Sequence, residues 1–177
     1  MTALESRTTP SDTQPIRKSF VLLTAGILAM VVGFGSVAGG MFGVWYTWDQ
    51  AAVQNVVTPD DAAIAETAVR GPFTMWAQSD IITFHQLEGT GGLYYAEMDR
   101  MIPQIDEAGE AVLDENGEAV MVPNEARASW FNATTLTTAL GLGIIAYALS
   151  AMAIAIGLTL AAVGFVFLHI RKRAVFL

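Results

Sequence analysis

The chain has 177 residues, 53% hydrophobic and only 15% charged, with 17 acidic residues against nine Lys and Arg. A soluble domain carries about a quarter charged residues, so this composition points to an integral membrane protein, mainly α. The lack of cysteine excludes disulfides, thiolate zinc sites, iron–sulfur clusters and thiol nucleophiles. The acidic balance excludes a nucleic-acid partner, because phosphate binding needs clustered Lys and Arg.

Residues 1–18 are polar, contain Pro10 and Pro15, and read as a disordered cytoplasmic tail. The uncharged run 19–47 exceeds the roughly 20 residues that cross a hydrocarbon core and is predicted as the first transmembrane helix. It is too long for the h-region of a cleaved signal peptide. Trp45, Tyr46 and Trp48 close it as an interfacial aromatic belt. Within it Gly35, Gly39 and Gly43 form GxxxGxxxG, widened by Ser36 and Gly40. Small residues at this spacing let a second helix approach closely. Two addresses stay open for that face: Gly143, Ala146 and Ser150 of the second span, or a helix of a partner or second copy. Ala153, Gly157 and Ala161 supply another small-residue stripe.

Residues 48–123 form an acidic extracytoplasmic α+β domain. From Asp49 to Arg127 there are 15 acids against three bases. Residues 53–58 are β-prone and Pro59-Asp60-Asp61 marks a turn. Residues 62–69 suit a short helix or a strand, broken by Gly71-Pro72. A helix is predicted over 73–88, with Trp76, Ala77, Ile81, Phe84 and Leu87 as candidate buried positions and Gly89 as its stop. Residues 93–101 resume as a short helix or strand. Gly-Glu-Ala-Val then occurs twice, eight residues apart, with Asn116-Gly117 between the copies. That dipeptide predicts a β-hairpin over 109–123.

Residues 124–142 read as a stem helix capped by Asn124. It leads into the second transmembrane helix, 143–170, and a basic cytoplasmic tail, 171–177. Arg17 and Lys18 precede the first span and Arg171, Lys172 and Arg173 follow the second. This positive-inside pattern predicts a two-pass protein of the cell membrane with both termini cytoplasmic.

The candidate chemistry is sparse. His85 and Glu88 lie three residues apart on the predicted helix, with Asp80 upstream, and imidazole with carboxylates suits iron, zinc or manganese. One histidine is short of the three protein ligands such sites ordinarily use, so the leading reading is a surface histidine near carboxylates. The Asp114–Gly117 tetrapeptide lacks the alternating ligands of a calcium loop, and Gly89-Thr90-Gly91-Gly92 lacks the lysine of a phosphate loop. His169 and the basic tail complement a helix C-terminus and an anionic leaflet. The spans hold no Asp, Glu, Lys or Arg, which argues against a transporter or channel. The acidic domain, with Trp76, Tyr94 and Tyr95, offers a surface for a basic partner. No cofactor is expected.

The stretch 69–100, with Gly71-Pro72, Ala77-Gln78, His85-Gln-Leu-Glu88 and Tyr95-Ala-Glu97-Met-Asp99-Arg100, and the later Arg127-Ala-Ser-Trp-Phe131, resembles a family of small two-span actinobacterial membrane proteins. The resemblance covers residues 20–168, the segment 109–123 standing apart as an insertion. Members are often labelled aromatic-ring-opening dioxygenases, of the kind acting on protocatechuate. Such enzymes hold ferrous iron with two histidines and a carboxylate, whereas the predicted outer domain contains His85 alone. The sequence therefore predicts a non-enzymatic accessory or assembly subunit of a plasma-membrane complex. The first alternative is a stand-alone envelope protein or homodimeric sensor, and the second is the ring-opening dioxygenase that the family label implies.

Overall fold

The computed structural model describes residues 20–173; the predicted tail 1–18, and the end of the basic tail beyond Arg173, lie outside them. Helix α1 (Phe20–Val53) is followed by α2 (Pro72–Gly89), a 3-10 turn (Tyr95–Glu97), strands β1 (Met101–Pro103) and β2 (Met121–Pro123), and α3 (Glu125–Arg173). Both α1 and α3 are long and apolar enough to cross a membrane, and in each the most apolar window is only 11% buried. A core helix of a soluble protein would hide such a surface.

The chain forms two compact units. The first comprises residues 20–39 of α1 and 153–173 of α3. There the two helices run antiparallel at backbone contact: a Cβ placed on Gly33 would lie 2.7 Å from the Gly157 carbonyl oxygen, and one on Gly26 would lie 3.2 Å from that of Gly164. At Gly33 the obstructing atoms are backbone and a methyl cannot enter without moving the helices, whereas at Gly26 it would press on the Leu168 side chain and the Gly164 carbonyl. Gly26, Gly33 and Gly40 on α1, and Ser150, Gly157 and Gly164 on α3, recur every seven residues and are all buried. A seven-residue repeat keeps one seam of a helix facing its neighbour.

The second unit is Gly40–Met152. Helix α1 runs past the predicted end at residue 47, because Ala51 and Ala52 are good helix formers. It stops at Asn55, whose φ of 50° is left-handed. The β-prone piece therefore starts after that residue, and 51–53 are helical. Residues 62–69 form no helix. Pro59 lacks an N–H, and the buried Thr58 hydroxyl accepts the Thr67 backbone N–H at 2.9 Å, a local bond that competes with helical pairing. A single bridge, Val57 to Ala68, closes this loop.

Helix α2 begins with Pro72 in its first turn, where the missing N–H costs nothing. Thr74 Oγ1 accepts the backbone N–H groups of Arg70 and Gly71, each at 3.1 Å. Ala77, Ile81 and the unpredicted Met75 are buried. Trp76 and Phe84 are not: they are 53% and 57% exposed, on the flank of the helix that borders the buried arc of Met75, Ala77 and Ile81.

The predicted hairpin turn at Asn116-Gly117 forms and is closed by the Leu113–Ala119 bridge, but the pairing does not extend over 109–123 and the hairpin is one part of a three-armed arrangement. Its stem is antiparallel β1 and β2, with Met101 opposite Pro123. Two small hairpins branch from the stem, bridged at Ile105–Ala111 and Leu113–Ala119. At the junction Gln104 N–H donates to Val120 O, Val120 to Val112 O and Val112 to Gln104 O, at 2.7–2.8 Å. The repeat is thus one residue set longer than Gly-Glu-Ala-Val: Ile-Asp-Glu-Ala-Gly-Glu-Ala-Val and Leu-Asp-Glu-Asn-Gly-Glu-Ala-Val each build one arm, so the two copies do not pair as strands of one hairpin.

Helix α3 is continuous over 49 residues, about 74 Å at the usual rise; the predicted stem and second span are one helix without a break. Asn124 precedes it, its Oδ1 accepting the Arg127 N–H at 3.2 Å while its Nδ2 donates to Asp99 O at 3.0 Å.

Candidate functional site

The predicted metal candidates do not assemble. His85 Nε2 lies 2.6 Å from Asp61 Oδ2, both side chains about half exposed, so the histidine's partner comes from the 59–61 turn rather than from Asp80 or Glu88. Among the described residues no three His, Asp or Glu groups are placed to hold a metal. The Asp114 carboxylate is already engaged. Backbone N–H groups of Glu118 and Asn116 donate to Oδ1 at 2.9 and 2.8 Å, and they hold its pKa below the usual carboxylate value.

The predicted packing glycines divide. Gly157 lies against Gly33 and Val37, and Gly43 against Ser150. Gly143 meets Met75 of α2, not α1. Gly35 and Gly39 have no neighbour within 4 Å of a built Cβ, and both are exposed. Gly26 and Gly33 follow the seven-residue spacing and Gly43 falls three residues after the next position, Gly40, whereas Gly35 and Gly39 have no neighbour on their face. The second unit uses Gly43 from the predicted motif, and the first uses Gly33, which the motif omitted. The seven-residue recurrence of small residues in both apolar runs is the signal that identifies Gly33.

In the second unit α2 lies along the first part of α3. Gln86 Nε2 donates to Ser129 Oγ at 2.5 Å, and Tyr147 Oη donates to the Arg70 carbonyl at 2.5 Å. Near the N-terminal end of α3 Trp130 is 6% exposed, donates Nε1–H to Leu93 O at 2.9 Å and stacks on Tyr94 at 5.5 Å between centroids. The Arg127 guanidinium sits 3.8 Å from the Tyr95 ring centre. Tyr94 and Tyr95 are therefore partly committed to internal contacts. A groove of about 550 Å³ runs beside α2, with Val69, Met75 and Leu140 in its lining and the amides of Gln50, Gln54 and Gln78 as its polar groups. Gln78 Oε1 is buried there without a hydrogen-bond partner.

No protein-family model, curated protein or solved structure matches the chain.

Proposed function

We propose that this chain is a two-pass protein of the cell membrane, both termini cytoplasmic, that serves as a non-enzymatic accessory or assembly subunit of a membrane-protein complex. The observation that carries the reading is the division of the glycines. One set is consumed where α1 meets α3, and Gly35 with Gly39 remains as an open GxxxG face on an apolar helix. In lipid such a face associates through close van der Waals packing. The exposed apolar surface of both long helices supports insertion, and the basic residues flanking them support the orientation. The resemblance to small two-span membrane proteins is consistent with this reading, but it assigns no role to His85 or Glu88.

Purification in mild detergent from native membranes, with a tag after Leu177, tests the proposal. A stoichiometric membrane-protein partner, lost in Gly35→Ile/Gly39→Ile, is the expected result. A homodimer lost in the same variant transfers the face to a second copy, the stand-alone reading. A monomer with unchanged behaviour in the variant overturns both. The cysteine-free chain also permits single-cysteine labelling in intact cells: Asn116→Cys is expected to react and Ser11→Cys to be protected.

A further inference from the structure

Two exposed aromatics of the second unit, Phe73 and Trp76, sit at the start of α2. Phe73 is 76% exposed and Trp76 53%, and three residues apart they are neighbours on the exposed flank of the helix's first turns. Exposed aromatic pairs on a folded surface call for a partner. Their position in the fold identifies one. The Arg70 guanidinium lies 5.4 Å from the centre of the Trp48 ring, and the Tyr147 hydroxyl binds the Arg70 carbonyl. Residue 70 is thereby tied to the aromatic belt of α1 and to the matching level of α3. Met75 rests on Gly143 at the same end. The first turn of α2 thus begins beside Trp48, while its other end, at Gln86, reaches Ser129 near the start of α3, well removed from Tyr147.

Charge agrees with this placement. Residues 67–79 form the longest stretch between Asp49 and Glu125 without a carboxylate, and the stretch contains Arg70. Elsewhere the segment is densely acidic and would be repelled by anionic headgroups. A neutral aromatic turn with one cation suits the interface between headgroups and acyl chains, where Trp and other amphipathic rings are favoured.

We infer that Phe73 and Trp76 seat the first turn of α2 in the outer-leaflet interface of the bilayer, as a third membrane contact beside the two long helices. This inference rests on the reading that α1 and α3 cross a bilayer. Phe84 and Leu87, farther along α2, lie outside the contact.

The test uses the full chain in phosphatidylcholine vesicles containing a minority of phosphatidylglycerol. Single cysteines replace Phe73, Trp76, Leu28 or Glu88 and carry a nitroxide; collisions with oxygen report an apolar setting, and collisions with a water-soluble nickel chelate report water. The expected result is a high oxygen-to-nickel ratio at positions 73 and 76, several-fold above that at 88 and approaching that at 28. Nickel access at 73 and 76 with an apolar 28 overturns the seat and leaves the spans standing. Nickel access at 28 as well overturns both. Shielding of 73 and 76 from both reagents shows that protein covers them, and also overturns the seat. In the unlabelled chain, lipids brominated on the acyl chains are expected to quench a fluorescence component that is missing in Trp76→Phe; equal quenching of the two proteins counts against the inference even where a cysteine variant fails to fold.

Discussion

Gly33 and Gly157 meet backbone to backbone: a Cβ on Gly157 would lie 2.6 Å from the Gly33 carbonyl oxygen, and one on Gly33 2.6 Å from the Ala161 nitrogen. Backbone cannot yield as a flexible side-chain tip can, so even one methyl must push the helices apart. Gly33→Ala and Gly157→Ala are each expected to destabilise the chain by about 1–3 kcal/mol, the usual cost of overpacking. Gly35→Ala, two residues away with no such neighbour, is expected to be neutral or to add up to about 1 kcal/mol through helix propensity. Denaturant titration in detergent micelles separates them, and equal responses at positions 33 and 35 would refute the packing register.

This contrast also marks what could be read from the residues. The two apolar helices, α2 with its Gly71-Pro72 start, and the Asn124 cap follow from local rules of hydropathy, proline placement and capping, which need no knowledge of distant residues. Which glycines face α3 is a different matter. The GxxxG spacing of Gly35 and Gly39 and the seven-residue spacing of Gly26 and Gly33 coexist in one helix, and only the partner helix decides between them. The 104–120 junction was hidden for a related reason. Its three mutual hydrogen bonds join Gln104, Val112 and Val120, which recur every eight residues, so a repeat read as two strands of one hairpin instead forms two arms. The Thr58–Thr67 contact is set by side-chain hydrogen bonding that a hydrophobic pattern does not encode. The metal reading for His85 depended on its own helix, whereas Asp61, its actual neighbour, comes from a turn 24 residues earlier.

Trp130 ties the N-terminal end of α3 to the chain that follows α2. Trp130→Phe keeps most of the ring area but removes the donor to the Leu93 carbonyl, with an expected cost of about 1 kcal/mol. Trp130→Ala also opens a cavity and is expected to cost about 3–5 kcal/mol. Amide exchange near Leu93 is expected to accelerate in both variants, and unchanged exchange there in Trp130→Phe would remove this hydrogen bond from the account.

Asp114 gives the tip of its arm a pH dependence. The N–H groups of Glu118 and Asn116 favour its ionised form and lower its folded pKa. The turn's extra stability is therefore complete above the unfolded carboxylate value and is lost as pH falls through the lower folded value. The amides of Asn116 and Glu118 are expected to stay protected from exchange at mildly acidic pH and to lose protection only below the ordinary carboxylate range. Asp114→Asn is expected to abolish that transition while keeping an acceptor. A midpoint at or above the ordinary value in the wild type would contradict the assignment. The carboxylate is fully exposed, so the effect is local to this arm and global unfolding is expected to be insensitive to it.

Gln78 carries the opposite kind of polar group, an amide oxygen buried beside Met75 and Val69 with no donor in reach. A buried acceptor left unpaired costs about 1–3 kcal/mol, whereas a leucine of similar size would bury only apolar surface in the same groove. Gln78→Leu is therefore expected to stabilise the second unit by about 1 kcal/mol, read as a higher thermal midpoint in detergent. A loss of stability in Gln78→Leu would mean that the oxygen is satisfied in solution by a water or a bound hydroxyl compound. Gln50→Leu supplies the control: that side chain lines the same groove but is exposed, so its replacement relieves no buried acceptor and is expected to leave the midpoint within the small range usual for surface changes.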